Sequence, residues 1–156
     1  MKRVVSLVVA ILVLAIINLL IIKKEETLAN GKTMLLQLRP VDPRSLMQGD
    51  YMVLRYAIAR EKDSDLKDSG CIVVSLDENK VASYVRVHKD ESLKSNEHLL
   101  FYRMRGEMRL GAESFFFQEG DASLYSNAKY GELKVDESGE SVLVGLRDES
   151  FSPLKK

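Results

Sequence analysis

The stretch from Val4 to Ile22 constrains this chain more than any other feature: nineteen residues interrupted only by Ser6 and Asn18. As a helix rising 1.5 Å per residue it would reach roughly 28 Å, close to the roughly 30 Å hydrocarbon thickness of a bilayer. A helix packed into a soluble core keeps a polar face, and this stretch has none. Arg3 on one side and Lys23-Lys24 on the other bracket it closely. A cleaved secretory signal would carry a shorter apolar region, about 7–15 residues, followed by a small-x-small cleavage site. Here Ile21-Ile22 runs straight into Lys23-Lys24-Glu25-Glu26, while Leu28-Ala29-Asn30 is a distant and poor match, and no lipobox cysteine follows. The expectation is an uncleaved anchor over residues 1–24 that enters the membrane through residues 4–22. A linker over residues 25–31 and a domain over residues 32–156 would follow.

Charge placement refines this. The α-amine, Lys2 and Arg3 precede the span and Lys23 and Lys24 follow it. Three positive charges against two favour a cytoplasmic N-terminus and a domain on the other side. In a bacterium with an outer membrane, that is an inner-membrane protein with a periplasmic domain. The whole chain balances 23 basic against 23 acidic residues, but four of the basic ones lie before Glu25. The remainder therefore holds 19 basic and 23 acidic residues, a difference of −4. Such a surface keeps a domain soluble and offers no clustered basic face for nucleic acid. Cys71 is the only cysteine and heads Cys71-Ile72-Val73-Val74. It reads as a small buried core residue, since redox chemistry would need a resolving partner thiol.

From Thr33 onward the apolar pattern has mostly period two, the mark of half-buried strands. Met34, Leu36 and Leu38 share one face of a first strand. Tyr51 to Arg60 alternates as a second, with Met52, Leu54, Tyr56 and Ile58 on one side. Ile72–Leu76 and Val81–Val87 form a hairpin over Asp77-Glu78-Asn79-Lys80, and Glu132–Val135 and Ser141–Leu146 form another over residues 136–140. Leu99–Arg105 and Glu107–Leu110 meet near Gly106. The charged run from Arg60 to Gly70 reads as an exposed loop inside one domain. Two segments break the pattern. Asp42 to Gly49 has the grammar of a one-turn helix, with Asp42 as N-cap, Pro43 at the first helical position and Gly49 at the left-handed exit. Asp121 can cap a helix of about two turns. Phe115-Phe116-Phe117 is apolar on both faces, as in a buried strand. The fold class expected is mainly β, a β-rich α+β domain. One N-terminal membrane helix precedes a compact antiparallel sheet, sandwich or partly closed barrel with two short helices.

The segment from Pro40 to Tyr56 contains Gly49-Asp50-Tyr51-Met52-Val53-Leu54-Arg55-Tyr56. It resembles the GDYXXLXY proteins, and the likeness extends to Phe115–Gly120, to Tyr130-Gly131-Glu132-Leu133 and to Leu143–Asp148. The resemblance implies a bacterial membrane-anchored protein, often encoded beside multi-pass membrane proteins, which makes such a protein the natural partner. It carries over no catalytic or ligand residues. The motif residues Asp42, Pro43, Arg44, Ser45, Gly49, Asp50, Tyr51, Leu54 and Tyr56 read first as construction. Gly49 permits a backbone angle that other residues avoid, and Asp50 can bond nearby amides as the chain turns into its strand. Exposed Arg44, Asp50 or Arg55 could instead bind something.

A weaker similarity points to type I signal peptidases, whose serine segment reads S-M-x-P-T-L-x-x-G-D on a membrane-tethered β fold. Aligning Gly49-Asp50 places Leu46 and Ser45 on its L and T. The nucleophile position then falls on Val41, which has no oxygen to attack with. His88 and His98 lie apart with no metal-ligand spacing, and no motif calls for a cofactor. Carboxylates such as Asp42, Asp50, Glu119 and Glu132 could converge only if the fold assembled them. Two functions thus compete: an anchored accessory or binding module working with an integral membrane partner, and an anchored hydrolase.

Overall fold

The computed structural model describes residues 2–39, 51–118 and 120–155. Helix α1 covers Lys2–Asn30 without a break. Its length of about 43 Å exceeds what the hydrocarbon layer needs. Residues 4–26 are exposed on every side, so the domain covers none of the apolar stretch. The helix is long and apolar enough to cross a membrane. Asn18 turns its amide back onto the Leu14 carbonyl at 2.8 Å, so its polar group is satisfied within the helix.

Residues 25–31, expected as a linker, are the last turns of α1 followed by Gly31. These turns dock on the domain. Thr27, only 2% exposed, donates its hydroxyl to the Lys23 carbonyl and to the Asp136 carboxylate. Lys24 pairs with Glu140 at 3.1 Å and reaches the Ser141 carbonyl. Asp136 also accepts from the amides of Ser138 and Glu140 and from the Ser138 hydroxyl, so one carboxylate ties the helix to a turn. Burial pushes that carboxylate up, but these hydrogen bonds outweigh it and hold it below its ordinary value. Gly31 donates to the Thr27 carbonyl at 2.9 Å, and a Cβ there would collide with that oxygen. Only glycine lets the chain leave the helix so close to its own last turn.

Among the described residues nine strands follow: β1 Lys32–Gln37, β2 Tyr51–Val53, β3 Ser69–Leu76, β4 Ala82–Val87, β5 Glu97–Arg105, β6 Glu107–Arg109, β7 Ser114–Phe116, β8 Tyr130–Val135 and β9 Ser141–Arg147. Among the described residues they form three antiparallel sheets ordered β1-β8-β9, β2-β7 and β4-β3-β5-β6, with no closed barrel. The fold is therefore the expected β-rich α+β class. A bridge between Leu35 and Val81, with Leu35 donating to the Lys80 carbonyl, joins the first sheet to the β3–β4 hairpin. Short helix α2, Ala122–Tyr125, follows Asp121. The inner faces supply one core from Met34, Leu36, Met52, Leu54, Tyr56, Ile72, Val74, Leu100, Tyr102, Leu133 and Leu146.

Three local expectations change. The strand expected from Tyr51 to Arg60 ends at Val53, and Ala57–Arg60 is a 3-10 turn. Phe116 is 73% exposed, so the phenylalanine triplet is not buried on both faces. Cys71 is half-buried, with its sulfur 3.6 Å from the Ser138 carbonyl, and burial pushes its thiol up. The charged loop is held at two points: Tyr84 donates to Asp63 at 2.6 Å, and the Lys67 amide donates to the Tyr102 hydroxyl.

Candidate functional site

Of the residues singled out from sequence, Val41, Asp42, Pro43, Arg44, Ser45, Gly49, Asp50 and Glu119 lie outside the described residues. The rest of the motif divides by face. Alternation along β2 turns Met52 inward, 2% exposed, and Tyr51 and Val53 outward, 39% and 38% exposed. Beyond the strand Leu54 and Tyr56 still point into the core. Leu54 donates its amide to the Glu113 carbonyl at 2.8 Å. The Tyr56 hydroxyl donates to the Ala112 carbonyl at 2.6 Å, and its ring lies against Gly131, where a Cβ would stand 2.9 Å from Cε1. Burial, aided by the negative charge of Glu113, pushes the Tyr56 phenol far above its ordinary value. Its task is a buried hydrogen bond, not proton transfer.

The outward face is different. β2 pairs with β7 so that Tyr51 lies opposite Phe116 and Val53 opposite Ser114. The Tyr51 and Phe116 rings sit 5.8 Å apart. Tyr51, Val53 and Phe116 thus form an uncovered aromatic face on a two-stranded ribbon. The inner side of β7 is anchored: Phe115 meets Tyr125 edge-on at 4.9 Å, and Phe117 lies 5.4 Å from the same ring. The outward aromatics are therefore held on a braced ribbon.

A cleft of about 350 Å³ opens beside this ribbon, lined by residues including Leu38, Arg39, Met52, Val53, Arg55 and Tyr125. Leu38 bridges to Tyr56, and the Arg39 amide donates to the Arg55 carbonyl at 2.7 Å. Arg39 pairs with Glu107 at 3.3 Å, while its buried Nε has no hydrogen-bond partner among the described residues. Arg55 is exposed.

The remaining candidates are dispersed. Glu132 is gripped at both oxygens by Arg147, at 2.8 and 2.9 Å, which makes it a strut between β8 and β9. His88 follows β4 and lies 4.0 Å from Asp90, whereas His98 sits within β5 opposite Val74. Burial, with Lys32 nearby, pushes His98 down. No group of three His, Cys, Asp or Glu among the described residues could hold a metal ion. Sequence reasoning missed the exposure of Phe116. It also missed the tyrosine–glycine contact of Tyr56 with Gly131, although both residues lie in segments that carried the resemblance.

A family model, that of the GDYXXLXY protein, matches residues 13–146. No curated protein and no solved structure matches the chain.

Proposed function

Because this chain belongs to the GDYXXLXY family, whose function is unassigned, we propose that it is a membrane-anchored binding module that works with an integral membrane partner. The domain over residues 32–156 faces away from the cytoplasm, into the periplasm of a bacterium with an inner and an outer membrane. The excess of positive charge before the span supports that orientation. The observation that carries the binding role is the ribbon face of Tyr51, Val53 and Phe116. Solvent-facing aromatics on a braced element make compact contact surfaces, because they bury large area while losing few rotamers. A partner that shares the bilayer meets this face at high effective concentration, since the anchor confines both to one plane.

Affinity capture from native membranes with the tagged full chain tests this. Wild type recovers an integral membrane protein in stoichiometric yield, and Tyr51→Ser/Phe116→Ser loses most of it. The double variant keeps its melting temperature to within a few degrees, because both side chains are exposed. Undiminished capture by that variant would rule out the ribbon as the contact.

A further inference from the structure

A second cleft, about 580 Å³ in volume, lies against the end of α1, its lining including Lys24, Arg103, Arg105, Arg109, Glu113 and Glu140. Four cations face two carboxylates there, while the chain after Lys24 carries a net −4. The local sign is thus reversed. Both carboxylates are already engaged, Glu140 with Lys24 and Glu113 with the Leu110 amide. Arg109 reaches Glu107, which also pairs with Arg39. Arg103 lies over the Phe101 ring at 5.4 Å. Neither Arg103 nor Arg105 has a carboxylate within ion-pair distance among the described residues.

The register sets one like-charged pair face to face. In the β5–β6 hairpin Arg103 stands directly opposite Arg109, whose ion-pair partner Glu107 stands opposite Arg105, two residues on along the same face. Like charges at directly opposed positions destabilise a strand pair. An anion between the guanidinium groups removes that cost and accepts forked hydrogen bonds from them.

Position along the helix says which anion. The apolar stretch ends at Ile22, and Lys24 lies about 3 Å further along the axis. The headgroup layer on each side of a bilayer is roughly 5–8 Å deep. Lys24 therefore sits within that layer, and its contacts with Glu140 and Ser141 bring the cleft wall to the same depth. We infer that this cleft binds the phosphate of an anionic membrane lipid, with Arg103, Arg105 and Arg109 as its ligands. The inference rests on α1 being a membrane span, and holds for either orientation of that span.

The test titrates phosphatidylglycerol or phosphatidylcholine into delipidated full-length protein in detergent, with bound lipid read by native mass spectrometry. Wild type binds phosphatidylglycerol at least about tenfold more tightly, from about a factor of five per arginine near the surface. R103Q/R105Q cuts that preference at least about tenfold without lowering the melting temperature. K89Q, which does not line the cleft, keeps the preference. Equal retention of both lipids by wild type, or an undiminished preference in R103Q/R105Q, overturns the site. Inorganic phosphate that binds without lipid and displaces phosphatidylglycerol overturns the lipid as its source. Carbonate washing of native membranes separates the premise: a chain washed out disproves span and site together, while a retained but lipid-indifferent chain disproves the site alone.

Discussion

Tyr56→Ala lowers the stability of the full chain by about 3–5 kcal/mol, the cost of removing a large aromatic side chain from a core. Tyr56 is 1% exposed and fills space between the core and the backbone of Gly131. Its hydroxyl is also the donor to the Ala112 carbonyl, so truncation strands a buried acceptor as well as opening a cavity. Tyr56→Phe keeps the ring and loses only that donor, costing about 1–3 kcal/mol. Thermal melts in one detergent, for both variants beside wild type, give the two numbers. If Tyr56→Ala and Tyr56→Phe cost the same, the ring contributes nothing and the packing against Gly131 is irrelevant. If neither costs anything, the last tyrosine of the motif is not a core residue.

Leu54→Ala is the second large effect, at about 2–5 kcal/mol. Leu54 is 2% exposed, and its amide donates to the Glu113 carbonyl, which fixes the chain as it leaves β2. The neighbouring Val53→Ala changes stability by no more than about 0.5 kcal/mol, since that side chain faces outward. The pair makes a stringent comparison: two aliphatic truncations, adjacent in sequence, with opposite outcomes. Equal melting temperatures for the two variants would contradict the division of the motif into an inward and an outward face.

What the sequence shows depends on whether a feature is local. The β3–β4 and β8–β9 hairpins were legible because Asp77–Lys80 and residues 136–140 carry turn chemistry between alternating strands. The long apolar helix was legible because a run of nineteen residues broken only by Ser6 and Asn18 is long and apolar enough to cross a bilayer. The strand expected over residues 51–60 was half right, in an instructive way. Met52, Leu54, Tyr56 and Ile58 are all buried as the alternation implied, yet only Tyr51–Val53 is paired as strand. Alternation reports which side faces the core; it does not report whether a neighbouring strand exists to pair with.

The same limit explains the ribbon. A run of three phenylalanines looks buried on both faces unless one knows that, among the described residues, no layer covers Phe116 on the outside of β7, and that is a property of distant chain. The second cleft was closer to view. Arg103, Arg105 and Arg109 flank Gly106, and the hairpin over that glycine sets two of them opposite each other. The depth inferred for it came only from the docking of α1 through Thr27 and Lys24. The motif residues from Asp42 to Asp50 lie outside the described residues, so the structural role expected of Gly49 and Asp50 stands as a proposal.

The central claim is that the outward half of the motif ribbon recognises a protein in the same membrane while the inward half builds the domain. Site-specific photo-crosslinking in the full chain, in native membranes, tests it most directly. A benzophenone amino acid in place of Phe116 should yield a discrete adduct with an integral membrane protein. The same group in place of Val144, another exposed residue, on β9, should give none. Adducts of equal yield from both positions, or none from position 116 in a chain that remains membrane-bound, would contradict the claim.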